Sequence, residues 1–148
     1  MPDLRLSVNL ALADIPKDSS GLDLPIAIGI LSSCGYVDKN TCTKSMFIGE
    51  LSLEGNLRPV AGVISITTLA KKLKMTSVYV SIENVAEALL IDGIDVYGVQ
   101  TLGDLVLHLN GNKTLSPANR TNISQFIQKF ESDFSEIKVQ LVAKRALE

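Results

Sequence analysis

The sequence predicts an α/β domain, and three features carry that prediction. Short runs rich in valine, isoleucine and tyrosine, at residues 77–81 and 94–99, are strand-like. The segments between them repeat apolar residues at helical spacing. Cap and stop signals, such as Thr101 before the last of these helices and Asn110-Gly111 after it, punctuate the alternation. Strands separated by helices of this length form layers, a mixed sheet packed with helices.

Taken in order, Leu4, Leu6, Val8 and Leu10 alternate with Arg5, Ser7 and Asn9, the period of a strand with one buried face. Asp23 is placed to cap a helix running through Ser33, with Pro25 tolerated in its first turn and Gly35 just past its end. Its almost wholly apolar face predicts a central helix. "MFIGELSLEGNLRPV" predicts two short strands around Glu54-Gly55-Asn56, closed by Pro59 and Gly62. From Val63, the residues Val63, Ile66, Ala70 and Leu73 give a surface helix whose lysine-rich end carries Lys71, Lys72 and Lys74, where cations suit the helix dipole. After the strand at 77–81, Asn84 with Glu87 has the spacing of a capping box opening a helix over 85–91. Thr101 with Asp104 has the same form, and Leu102, Leu105, Val106 and Leu109 share one face of the helix that follows.

The chain's 148 residues, 46% hydrophobic and 20% charged, are enough for one ordinary core and a tail. The polar run "NKTLSPANRTNIS" ends the compact domain near Gly111, giving a domain over 1–111, a linker over 112–132 and a new segment over 133–148. In that linker Asn112, Asn119 and Asn122 open Asn-x-Ser/Thr triplets, glycosylation acceptors only in a secreted protein. The start, Met1-Pro2-Asp3-Leu4-Arg5, lacks the basic-then-apolar order of a secretory signal, and Pro25, Gly29, Ser32 and Ser33 interrupt the most apolar region. The expected compartment is the cytoplasm, with no membrane contact, and Cys34 and Cys42 are expected as reduced thiols. Fourteen basic against 16 acidic residues, a net charge of -2, give no global field to draw the chain onto nucleic acid.

Four blocks carry a family resemblance: "VNLALADIPKDSSGLDLPIAIGIL", "GELSLEGNLRPVAGV", "SIENVAEALLIDGIDVYGV" and "DFSEIKVQLVAKRALE". Together, in order over nearly the whole chain, they resemble the bacterial ComM/YifB proteins, magnesium-chelatase-like AAA+ ATPases. The resemblance implies an N-terminal domain similar to the proteolytic domain of Lon protease, with its ribosomal-protein-domain-2-like fold, here beginning part-way into the opening strands. It implies an AAA+ motor downstream, needing ATP and Mg, in a whole protein that forms a ring and drives DNA branch migration during natural transformation. Its partners would be the motor domain, neighbouring subunits of the ring and, through the whole protein, DNA. The segment with Ile137, Val139 and Gln140 would form one wall of the adenine pocket, although Val139 stands where the family has glycine. No G-x-x-x-x-G-K-[ST] loop occurs in these residues, so no cofactor is expected for this chain alone, and no metal-ligand cluster is evident.

Lon-type enzymes cleave peptides with a serine activated by a lysine, which must lie within hydrogen-bond reach of it. Setting their P-K-D-G-P-S-A-G pattern on Pro16-Lys17-Asp18 puts Gly21 at the serine position, and the pattern from Gly49-Glu50 to Gly62 puts Ile64 at the lysine position. Both catalytic groups are replaced, so this chain is expected to be no enzyme. Ser20 lies one residue early, and the nearest lysine on that helix, Lys71, is two turns beyond Ile64, roughly 10 Å along the axis. Lys17, Asp18, Ser19 and Ser20 are then an ordered helix-entry loop, with anion or carboxylate binding as the functional alternative. Lys71, Lys72 and Lys74, with Lys144 and Arg145 in the tail, read as solvated ends, with a nucleic-acid patch as the alternative. Arg58 is expected to pair with a buried Glu50, and His108 to be a partly exposed helix-end histidine rather than a base. Three functions remain open: a non-catalytic module of the motor, a DNA-binding scaffold acting on its own, and a peptidase with a rearranged Ser20 and lysine pair.

Overall fold

The computed structural model describes residues 19–119, with Ser19 and Ser20 as backbone only. The expected strand at 4–10, the loop residues Lys17 and Asp18, and the tail with Ile137, Val139, Gln140, Lys144 and Arg145 lie outside the described residues.

A 3-10 turn, Ser19–Leu22, leads into α1, Asp23–Ser33. Asp23 does not cap this helix. It lies inside the first turn, and its carboxylate accepts the Leu51 N–H at 3.3 Å, tying the helix to the hairpin. Nor is α1 central, since only Leu24 and Ile28 are buried. One turn of helix, α2 (Lys39–Cys42), follows, with the Asp38 side chain accepting from the Asn40 N–H. Met46 and Phe47 belong to a separate strand, β1 (Ser45–Phe47), and the hairpin is shorter than expected: β2 (Glu50–Leu51) pairs antiparallel with β3 (Leu57–Arg58). Gly55, at φ +82°, supplies the left-handed position of its turn.

Helix α3 spans Val63–Lys72, β4 Ser77–Ser81, α4 Val85–Ala88, β5 Asp95–Val99 and α5 Leu102–Leu109. Within α3 the core face is Val63, Thr67 and Ala70, while Leu73 lies exposed beyond its end. The sheet order is β1-β4-β5, all parallel, with Phe47, Tyr79 and Tyr97 in register. All five residues of the central strand β4 are buried, as expected for a parallel strand covered on both faces. Its alternating side chains divide between two cores. Val78 and Val80 join Val63, Ala70, Ala88 and Val96, whereas Tyr79 joins Leu24, Ile28, Leu105 and Leu109. Helices therefore flank both faces, in agreement with the α/β class.

The first residues of the expected linker lie against this sheet. Leu115 packs on the second core, and the Ala118 N–H donates to the Val96 carbonyl at 2.7 Å.

Candidate functional site

A parallel sheet has two chemically distinct ends. At the C-terminal ends of the strands, the turn Ser19–Leu22 is fixed by backbone bonds from the Gly49 N–H to the Gly21 carbonyl (3.1 Å) and from the Leu24 N–H to the Gly49 carbonyl (3.0 Å). A Cβ placed on Gly21 would lie 3.4 Å from Ile48 Cγ1 and 3.8 Å from Val60 Cγ2. The position is walled by apolar atoms, which a Cβ there would meet at van der Waals distance.

Val60 is clamped in turn. Its N–H donates to Asn84 Oδ1 and its carbonyl accepts from Asn84 Nδ2, both at 2.9 Å. Asn84 Nδ2 also reaches Glu87 Oε2 at 3.4 Å, and Glu87 Oε1 accepts the Ile64 N–H at 3.1 Å. The expected capping box is therefore absent. Asn84 makes no cap bond to α4, which is also shorter than expected, and Glu87 instead serves an unsatisfied N–H in the first turn of α3. Through this chain of contacts the structure brings Gly21 and Ile64 to one end of the sheet. Ile64 itself is 40% exposed.

Lys71, Lys72 and Lys74 stand at the other end, all exposed. Lys74 takes the left-handed position (φ 57°) that closes α3, with the Met75 N–H returning to the Ala70 carbonyl. The Lys71 side chain lies along the loop at Gly93, beside a shallow depression of about 410 Å³ lined by Met75, Thr76, Gly93, Ile94 and Asp95. Thr76 donates from both its N–H and its hydroxyl to the Lys44 carbonyl, so Lys44 joins this end. Sequence reading missed Lys44 because only the β1–β4 pairing, across 32 residues, brings it here. No such pairing takes Lys71 toward Ser20, whose backbone belongs to the opposite end.

His108 closes an aromatic ladder. Tyr79 stacks between Phe47 and Tyr97, with ring centroids 5.1 and 4.9 Å away. His108 Nδ1 accepts the Leu115 N–H at 3.1 Å and lies 3.3 Å from the Lys113 carbonyl, while Nε2 lies 3.2 Å from the Tyr79 hydroxyl. Burial, then the neighbouring Tyr97, pushes the Tyr79 hydroxyl above the usual tyrosine range. Both imidazole nitrogens are thus occupied by packing contacts. Arg58 meets Glu50 at 3.5 Å, but this pair is not buried: the side chains are 61% and 33% exposed, because in the two-stranded β2–β3 sheet Arg58 lies on the face opposite buried Leu57. Cys34 and Cys42 are free, and partial burial raises the Cys42 thiol. Among the described residues no three His, Cys, Asp or Glu side chains form a metal-binding group, and no helix is long and apolar enough to cross a membrane.

Comparison with known proteins adds a lineage to this geometry. A family model described as subunit ChlI of Mg-chelatase matches residues 1–84, more than half of the chain. The chain belongs to this Mg-chelatase-like family. Among its relatives, competence protein ComM of Haemophilus influenzae is 40% identical over 149 residues, covering 99% of this chain and 29% of the relative. YifB of Escherichia coli, an uncharacterized protein, is 34% identical over 148 residues, with 99% and 28% covered. The DNA repair protein RadA of Streptococcus pyogenes is 34% identical over 92 residues, 62% of this chain and 20% of the relative. The chain thus spans less than a third of the length of these relatives. In this Mg-chelatase-like family member, the ComM match takes in both ends of the sheet.

Proposed function

We propose that this chain is the non-catalytic N-terminal module of a ComM/YifB-type, Mg-chelatase-like AAA+ ATPase, a Lon-like domain that serves ring assembly or substrate engagement. The whole protein would be an ATP-dependent DNA branch-migration motor in natural transformation. The single observation that supports this most is the 40% identity to a competence protein across 99% of the chain.

The vacated site supports the non-catalytic part. Gly21 has no hydroxyl and Ile64 no amine, and a Cβ built at Gly21 would meet Ile48 and Val60. A hydroxyl needs a base within reach before it attacks a peptide, and Lys71 belongs to the far end of α3. ATP and Mg belong to the motor in this reading. The phosphate loop that would hold them is absent from these 148 residues, so no nucleotide step is assigned to this chain.

The test uses the whole protein. Deleting residues 1–111 is expected to impair ring assembly, DNA binding or DNA-stimulated ATP hydrolysis, and a variant unchanged in all three would sink the proposal. A parallel incubation with unfolded casein addresses the peptidase alternative: cleavage abolished by Ser20→Ala would overturn the non-catalytic reading.

A further inference from the structure

The strap that leaves α5 is held to the domain in two unlike ways. Main-chain bonds fix its start: the Gly111 N–H donates to the His108 carbonyl, and the Asn112 and Lys113 N–H groups both donate to the Leu107 carbonyl. The Lys113 ammonium adds an ion pair with Asp104. The far half, residues 114–118, is anchored through half-buried Leu115 and Ala118, while Thr114, Ser116 and Pro117 between and beside them are exposed. Ala118 bonds the Val96 carbonyl, and the Leu115 N–H bonds a side chain, His108. A segment with so few buried contacts is the kind that opens without the rest of the fold.

His108 Nδ1 faces two groups of opposite character, the Leu115 N–H at 3.1 Å and the Lys113 carbonyl at 3.3 Å. With a lone pair it accepts from the first; with a proton it donates to the second. The neutral ring can keep that lone pair, whereas the imidazolium carries a proton on both nitrogens and only donates. Charging therefore forfeits the Leu115 bond. The charged ring nevertheless stays in place, because Nδ1 has the Lys113 carbonyl, Nε2 has the Tyr79 hydroxyl at 3.2 Å, and a cation suits the last turn of α5.

We propose that His108 is a proton-operated latch on this strap: neutral, it holds the Leu115 N–H and keeps residues 114–118 on the sheet, and charged, it turns to the Lys113 carbonyl and lets them go. Release uncovers the Val96 carbonyl on β5, an outer strand of the three-stranded sheet, and gives the chain beyond Ala118 roughly 17 Å of slack. Imidazole is the side chain whose ordinary charge change falls between about pH 5 and 8. Among the described residues, the ionisable groups facing it are Tyr79 on β4, Tyr97 on β5, Asp104 on its own helix and Lys113 on the strap, with Cys42 and Asp95 one contact further, beside Tyr79 and Tyr97. Burial holds both tyrosines above their usual range, and Lys113 and then Thr101 hold Asp104 below its own, so these three keep their charge state through that window. The latch is a property of this chain and stands whether or not the domain serves a motor.

Hydrogen exchange in the 148-residue chain, read amide by amide by NMR and corrected for the intrinsic effect of pH, tests it. Between pH ~8 and ~5, protection of Leu115 and Ala118 should fall by about tenfold, the factor one hydrogen bond supplies, while Lys113 stays protected by the Leu107 carbonyl. The midpoint should coincide with the titration of the His108 ring protons in the same sample, a readout that needs no variant. His108→Phe keeps a stacked ring without nitrogens and should leave Leu115 weakly protected at both pH values. Asp104→Asn, which loosens only the start of the strap, should retain the pH step at Leu115. Equal protection of Leu115 at both pH values, a midpoint apart from that of His108, or a step that survives His108→Phe overturns the proposal. So does loss of protection at Lys113 and Val80 together with Leu115, which would mark acid unfolding of the whole domain.

Discussion

Replacing Asn84 with alanine should loosen the Val60 segment beside Gly21 at a measurable cost. Asn84 is buried, and its amide satisfies both the N–H and the carbonyl of Val60 at 2.9 Å, with a longer 3.4 Å contact to Glu87. Truncation leaves two backbone groups without these partners, each costing about 1–3 kcal/mol when buried. Val60 is only partly buried, so water recovers some of this. The expected loss is about 2–3 kcal/mol, a fall in Tm on the order of 10 °C for a domain of this size. Urea and thermal unfolding would measure it. Asn84→Asp sharpens the test, because it keeps the shape and the acceptor for the Val60 N–H but sets an oxygen against the Val60 carbonyl and the Glu87 carboxylate. Those neighbours favour the protonated, donating acid and raise its folded pKa. The added stability of the protonated form is complete below the unfolded carboxylate value and is lost as pH rises through the folded one, so this variant should be least impaired in acid. If Asn84→Ala unfolds within about 0.5 kcal/mol of the native chain, the clamp is ornamental and the reasoning fails.

Three further outcomes follow from particular contacts. A Cβ on Gly98 would meet Val85 Cγ2 at 2.7 Å, so Gly98→Ala should cost about 1–3 kcal/mol in thermal unfolding, much of it recovered in the double variant with Val85→Ala. The Lys113 ammonium, and then the Thr101 hydroxyl, hold the Asp104 carboxyl below the usual carboxylate range. Stability from this pair is present above the unfolded carboxylate value and lost as pH falls through the lowered folded one, so Asp104→Asn should flatten the acid limb of stability against pH. Burial raises the Cys42 thiol whereas Cys34 is exposed, so iodoacetamide near pH 8 should alkylate Cys34 first, in an order read by peptide mass spectrometry; equal rates would refute it.

Much of the fold was legible because its signals are local. The strands at 77–81 and 95–99, the hairpin turn at Gly55 and the helix from Val63 follow from β-branched runs, glycine and apolar spacing, all read within a few residues. The parallel order β1-β4-β5 was not legible, because pairing across 32 residues leaves no mark in any short window. That pairing places Lys44 beside Thr76.

The failed cap assignments have a common cause. A side chain caps a helix when its own backbone is extended, which aims its oxygen back at the first free N–H groups. Thr101 (φ -133°, ψ 151°) and Asp38 (φ -66°, ψ 125°) meet that condition, and both accept from the helix that follows. Asp23 and Asn84 do not. Asp23 follows a 3-10 turn, Ser19–Leu22, and Asn84 ends one, Ile82–Asn84, so the chain is already helical at the start of each helix: Leu22 has φ -90°, ψ -8°, and Asn84 has φ -88°, ψ -5°. Their side chains are turned to distant backbone instead, Asp23 to Leu51 and Asn84 to Val60, while Glu87 serves Ile64. All three of these bonds converge on the end of the sheet where Gly21 and Ile64 stand. Local rules therefore fail together at this end of the sheet, where residues with capping chemistry hold separate segments in place, as expected where tertiary demands outweigh local preference.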